Sequence, residues 1–187
     1  MTKSTIDLQN QFLIAMPRLE DPNFIGSVTY ICQHNDDGAM GIVVNKTAGL
    51  YLGDIFEQLE LSTKGKYSKL SVMQGGPVQL ERGFVLHRDG STWDSSYAVS
   101  NSIQLTTSKD ILSALAEETG PSDFVVALGY AGWGAGQLEE EIAQNSWLTC
   151  EADHDVLFHE KREKKYALAL ASLGLDAAKL NGQAGHA

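Results

Sequence analysis

The chain has 187 residues and a mass of 20.3 kDa, with 24 acidic against 14 basic residues and a net charge of −10. That balance opposes general binding to nucleic acid or to an anionic membrane, both of which need clustered Lys and Arg to displace counterions. A hydrophobic share of 43% and a charged share of 20% suit one globular domain spanning residues 1–187 rather than a disordered chain.

The first ten residues are polar, and a frayed terminus is expected there. Phe12 to Met16 reads as a short buried strand closed by Pro17, which cannot donate to a ladder. Asp21-Pro22-Asn23 is a turn. From Val28 to His34 the residues alternate, with Val28, Tyr30 and Cys32 on one side and Thr29, Ile31 and Gln33 on the other. Asn35-Asp36-Asp37-Gly38 then makes a four-residue connection to a second strand, Ala39 to Asn45, giving an antiparallel hairpin.

Leu52, Ile55, Phe56 and Leu59 have helical spacing. Lys64-Gly65-Lys66 marks a loop. Leu70 to Gln74 and Gly83 to His87 read as strands joined through Gly75-Gly76-Pro77, and Asp89-Gly90-Ser91 is a further turn. Ser96 to Val99 and Ile103 to Leu105 form another hairpin. Thr107-Ser108-Lys109-Asp110 starts a helix with a hydroxyl cap and an acid in its first turn. Ile111, Leu112 and Leu115 give that helix an inner face, and Gly120-Pro121 stops it.

The apolar run Phe124 to Leu128 predicts a buried strand, followed by a glycine-rich turn over Gly129–Gly136 and a helix from Gln137 to Asn145. Trp147 to Cys150 adds a strand. A last helix runs from Glu160 to Leu173, with Tyr166, Leu170 and Leu173 inward. Strands come early in hairpins and helices enter later, an order that favours an α+β fold with a mixed, largely antiparallel sheet.

Cys32 and Cys150 are too few for a secreted disulfide framework. No leader of the usual kind is expected, and no run approaches the ~20 apolar residues of a membrane span. The reading is a soluble protein of the cytoplasm.

Chemical motifs are sparse. The stretch Gly129–Gly136 lies between a predicted strand and a predicted helix, where backbone N–H groups could cradle an anion. Neither the dinucleotide spacing nor a Gly-Lys-Ser/Thr sequence occurs in it, so a tight turn around Trp133 outweighs phosphate binding. The histidines, His34, His87, His154, His159 and His186, follow no zinc pattern, and no metal or cofactor is expected. Cys32 falls on the face of Val28 and Tyr30 and is expected to be a buried thiol, while Cys150 carries only a weak redox reading. Lys161-Arg162-Glu163-Lys164-Lys165 reads as a solvated helix flank in preference to a dock for an acidic partner or RNA.

Several blocks taken together resemble the AlgH/YqgE family. They are Phe12-Leu13-Ile14-Ala15-Met16-Pro17 with Asp21-Pro22-Asn23-Phe24, then His34-Asn35 and Gly38 to Asn45, then Gly75-Gly76-Pro77 and Arg82 to His87. Leu128 to Trp133, Gly136 to Glu139, Trp147-Leu148 and the closing Ala184-Gly185-His186-Ala187 continue the resemblance over nearly the whole chain. It implies a bifurcated mixed sheet curled into a pseudo-barrel with helices packed outside. One branch of the family is named as a transcriptional regulator of alginate production. With no helix-turn-helix in sight and a net charge of −10, such a role would run through a protein partner and not through direct DNA contact.

These blocks hold polar residues that a core would not demand. The groove expectation gathers His34, Asn45, Gly75, Gly76, Pro77, Arg82, His87, Tyr130, Gly132, Trp133 and Gln137 around one binding surface. The structural alternative has the glycines serving turns while the Asn and Arg side chains bond loop carbonyls. The functional expectation is a non-enzymatic interaction or regulatory module with a protein partner. Its rival is a binder or enzyme of a small anionic metabolite at the Gly129–Gly136 turn and Arg82.

Overall fold

The computed structural model describes residues 6–88 and 92–183. The Asp89-Gly90-Ser91 turn, the first five residues and the closing block with His186 lie outside that range. Strands β1 (Gln11–Ala15), β2 (Val28–Asn35) and β3 (Gly38–Val43) run antiparallel in sequence, and β10 (Trp147–Glu151) returns to pair with β1. The centre of the sheet is β9 (Phe124–Gly134), an eleven-residue strand. Its second half pairs with β3, from Gly41↔Ala131 to Gly38↔Gly134. Its first half pairs on one side with β6 (Val78–Arg88) and on the other, in parallel, with β5 (Ser71–Gln74).

The sheet therefore forks along β9. One branch carries β4 (Thr47–Tyr51) on β5, and the main path reads β10-β1-β2-β3-β9-β6-β8-β7, ending in β8 (Ile103–Thr106) and β7 (Ser96–Ala98). Among the described residues the other ladders are antiparallel. This is the mixed, forked and curled sheet expected, with helices flanking it.

Both faces of the sheet are covered, which explains why β2 and β9 are apolar on both sides. Val28, Tyr30 and Cys32 face a cluster with Phe12, Ile14, Ile42 and Leu86. Ile31 faces a second cluster with Leu13, Ala131, Trp133 and Trp147. Helices α1 (Leu52–Gln58) and α2 (Lys109–Glu117) build a third, laying Leu52, Phe56, Ile111 and Leu115 over Val72, Val85 and Val126. Each such side chain taken out of water contributes about 1.5–3 kcal/mol.

Several local expectations need correcting. The β2–β3 connection is two residues long, because Asn35 and Gly38 already pair and leave only Asp36 and Asp37 outside the ladder. Strand β4 continues past the hairpin and was not foreseen; its alternation of exposed and half-buried residues is weak. The hydroxyl of Ser108 does not cap α2. It donates to Asp110 Oδ1 at 2.6 Å, and that carboxylate accepts the Ile111 N–H at 2.9 Å.

The largest correction concerns Gly129–Gly136, which is not a turn through most of its length. Gly129 to Gly134 continue β9, and their backbone groups serve the ladders with β3 and β6. The strand fits because its neighbours are also small. A Cβ on Gly38, at φ +139, would stand 2.1 Å from the Trp133 carbonyl oxygen. The turn shrinks to Ala135 and Gly136, followed by α3 (Gln137–Ala143). Beyond β10, α4 (His154–Phe158) and α6 (Ala177–Gln183) are further unforeseen helices. The inner face of α5 (Arg162–Ser172) is Lys165, Ala169 and Leu170 with Tyr166 partly buried, whereas Leu173 is exposed. No helix among the described residues is long and apolar enough to cross a membrane.

Candidate functional site

Where β6 leaves β9, the ladder jumps from Val78↔Tyr130 to Gly83↔Leu128. Gln79, Leu80, Glu81 and Arg82 bulge out opposite Gly129 alone. Both strands bend to permit it: Gln79 sits at φ +50 and Gly129 at φ +76. A left-handed conformation costs a non-glycine residue free energy, and bulges of this kind re-aim side chains near functional surfaces. Here the bulge leaves Leu80 51% exposed and carries Arg82 to the rim of an open trough.

The trough has a volume of about 630 Å³ and is walled by Gln33 and Met40 from β2 and β3, Arg82 and Phe84 from β6, and Tyr130 and Gly132 from β9. Its floor is firm, because Phe84 belongs to the main core cluster and Met40 and Tyr130 pack on it. The Phe84 and Tyr130 rings meet edge to face at 5.7 Å. The Arg82 guanidinium carbon lies 5.4 Å from the centre of the Phe84 ring, and Nη1 donates to Gln79 Oε1 at 3.2 Å. Arg82 enters no ion pair among the described residues. It is a hydrated cation held over an aromatic floor, and its charge is free to meet an anion.

Of the expected groove residues, Arg82, Tyr130, Gly132 and Trp133 do border this trough. The Trp133 indole itself is buried, stacked on Phe24 at 6.0 Å and edge-on to Trp147 at 6.0 Å. The rest lie elsewhere. His87 is 1% exposed. Its Nδ1–H donates to the Arg88 carbonyl at 2.9 Å, which leaves Nε2 to accept the Thr106 hydroxyl at 2.7 Å in the neutral ring. Asn45 closes a loop, accepting the Val28 N–H at 2.8 Å and donating to the Gly26 carbonyl at 2.9 Å.

Gly75 and Gly76 are packing positions. Gly75 N–H donates to the Leu128 carbonyl at 2.8 Å, and a Cβ on Gly76 would stand 2.1 Å from the Tyr130 carbonyl. Pro77 is exposed outside the trough. Gln137 accepts the Gly134 N–H at 3.0 Å, tying the end of β9 to α3. His34 is in a separate hollow with Asp36 and Glu139. Its Nδ1 accepts the Leu8 N–H, and its Nε2 bonds Glu139. Burial raises the Glu139 pKa, but the His34 hydrogen bond and a backbone N–H outweigh it and hold the carboxyl below its ordinary value.

Other chemistry is absent from the trough. Cys32 and Cys150 are buried free thiols, and burial pushes both pKa values up, away from reactive thiolate. Among the described residues no three His, Cys, Asp or Glu side chains converge as metal ligands. Tyr130 to Gly134 pair with β3 and β6, and the Gly134 N–H is held by Gln137 Oε1, so most of this stretch is strand and not the anion-cradling turn of the metabolite reading. Among the described residues that line the trough there is no Ser, Thr, Cys, His, Asp, Glu or Lys.

One residue departs from the sequence reading more than any other. Lys165 is not on a solvated flank: it is 4% exposed. Its Nζ donates to the carbonyls of Leu157 at 2.8 Å and Val44 at 3.2 Å, and burial lowers its pKa to about 8. A signal was present, since Lys165 lies four positions before Ala169 and so shares its helical face.

The comparisons with known proteins agree with this architecture. The AlgH-like family model matches residues 12–178. A UPF0301 protein of Thioalkalivibrio sulfidiphilus is 54% identical over 187 residues, covering all of both chains, and one of Hahella chejuensis is 52% identical over the same span. The solution structure of the AlgH protein from Pseudomonas aeruginosa superposes with a TM-score of 0.81 at 44% identity, covering 100% of each chain. A crystal structure of a protein from Corynebacterium diphtheriae, at 16% identity, shares the fold with a TM-score of 0.71 over 92% of this chain and 90% of its own.

Proposed function

This chain belongs to the AlgH-like family, and from that premise we propose that it is a non-enzymatic interaction module of the cytoplasm, working through the trough at Arg82. The observation that carries the reading is the bulge of β6, which holds an exposed Leu80 and, over an aromatic floor, a guanidinium with no ion pair among the described residues. The occupant it suits is a protein segment that offers a carboxylate next to an apolar side chain. An acidic domain with a net charge of −10 repels most anions at long range, so one local cation selects for shape as well as charge. Any effect on transcription would pass through that partner, since the charge opposes direct contact with DNA.

The test is site-specific photo-crosslinking from position 80 in living cells, with and without Arg82→Glu. The expected result is a discrete crosslinked species whose captured peptide contains Asp or Glu beside an apolar residue. The species should vanish in Arg82→Glu while the melting temperature stays the same. Crosslinking that survives Arg82→Glu would overturn the reading. Displacement of the partner by a small dicarboxylate would turn it towards a metabolite.

A further inference from the structure

A second cavity, of about 370 Å³, opens where the start of α5 meets the entry to β5 and the first half of β9. That volume is within the range of small-molecule sites, roughly 300–1,000 Å³. Its apolar walls include Met73, Phe124 and Phe158, and Lys165 forms part of its lining. Lys69, Lys161 and Arg162 stand around it together with Glu160 and Glu163, so three cations face two carboxylates before Lys165 is counted. Arg162 Nη2 lies 3.3 Å from Glu163 Oε1. In a chain with 24 acidic and 14 basic residues, this is a local reversal of charge.

The Lys165 amine is in an unusual state of hydrogen bonding. No carboxylate pairs with it among the described residues, and its two acceptors are the Leu157 and Val44 carbonyls. A neutral amine has two N–H groups and one lone pair. Both hydrogens are matched here, and the lone pair is left over. An ammonium would instead carry a third N–H with no acceptor among the described residues. Desolvation acts in the same direction, holding the pKa near 8.

We propose that Lys165 is the amine of a carbonyl-capturing site, which takes a small aldehyde or ketone bearing a carboxylate or phosphate and holds it as an imine. The nitrogen lone pair attacks the carbonyl carbon, and the carbonyl oxygen takes up a proton shed by nitrogen. The carbinolamine then expels that oxygen as water with the second nitrogen-bound hydrogen, leaving a C=N bond. Amine and carbonyl compound thus give imine and one water, with no oxidant or reductant. The anionic group is met by Lys69, Lys161 and Arg162. The site is independent of the Arg82 trough and adds reversible covalent binding to it.

The experiment uses the full chain with glyoxylate and cyanoborohydride, which reduces an imine to a stable secondary amine, followed by peptide mass mapping. At pH 8 an amine with its pKa near 8 is about half neutral, against well under 1% for an ordinary lysine, roughly a hundred-fold difference. The expected result is labelling of Lys165 at least about ten-fold above the exposed neighbour Lys164, allowing for slower entry to the buried amine. The Lys165 yield should fall as pH drops below 8. Arg162→Ala should lower it several-fold with no change in melting temperature, and inorganic phosphate should protect. Labelling of Lys165 at or below the level of Lys164 in the unaltered chain would overturn the proposal, without appeal to whether Lys165→Met folds.

Discussion

Arg82 and Lys165 are both cations in an acidic chain, and their surroundings are opposite. Arg82 rides on a bulge at the rim of an open trough, hydrated and without an ion pair among the described residues. Lys165 lies inside the packing between α5 and the sheet, bonded to two carbonyls. The exposed cation costs the fold little, and the use proposed for it is recognition. The buried one has lost its hydration and part of its basicity, so it is the group whose chemistry the fold has changed.

The contrast depends on a rigid junction between β6 and β9, and breaking that junction should have the largest effect. Gly76 is at φ +155 with the Tyr130 carbonyl 2.1 Å from where a Cβ would stand. Gly76→Val should cost more than about 3 kcal/mol in chemical denaturation, or prevent folding, because backbone cannot yield as a side-chain tip can. A loss of under about 1 kcal/mol would mean that the trough wall is soft.

The Lys165 side of the contrast is sharpened by pH. Its folded pKa of about 8 lies below the ordinary 10.5. The unfolded chain therefore binds the extra proton between those values, and stability rises with pH across that window. Below pH 8 the full cost of the buried charge, on the order of 3 kcal/mol, is present. Melts of the unaltered chain should thus gain on those of Lys165→Met between about pH 8 and 10. The difference curve isolates this gain, because the buried acids Cys32 and Tyr30, with raised pKa values, pull both proteins the other way. Parallel curves would contradict it.

A smaller effect separates Arg82 from His87. His87→Ala should cost about 2 kcal/mol, since the Thr106 hydroxyl and the Arg88 carbonyl lose a buried partner. Arg82→Ala should stay within about 0.5 kcal/mol, and the double variant should match His87→Ala in denaturant. The smallest effect is expected at His159, whose pKa is raised by its hydrogen bond to Asp123 and by the charges of Asp123 and Asp155. The pairing contributes fully below the ordinary value of 6.5 and is lost as pH rises through the higher folded value. His159→Gln should flatten that shallow slope in pH-dependent melts.

Much of the fold was legible where a local rule suffices. The alternation in β2 was read correctly, and the structure adds that its two faces enter two different cores. The glycines of β9 misled because a run of glycine ordinarily marks a turn, whereas these lie within a strand, where Gly129 is closely approached by the Gly76 carbonyl and Gly38 of β3 by the Trp133 carbonyl. That approach joins segments distant in sequence, and periodicity cannot register it.

The site was legible only in part. Arg82 and His87 are five positions apart on one strand, and strand parity alone puts them on opposite faces. The burial of Lys165 rests on the Val44 carbonyl, 121 positions away, which no local pattern contains, although the helical face shared with Ala169 hinted at it. Gln79 at φ +50 and the bulge it starts have no sequence signature.

The most direct test of the contrast between the two cations is an NMR titration of the lysine side-chain Cε resonances in the folded protein. Lys165 should titrate with a midpoint near 8, well below the ordinary lysine value of about 10.4. A Lys165 midpoint at or above the ordinary lysine value would show a hydrated ammonium, and the division between a recognising cation and a buried amine would fall.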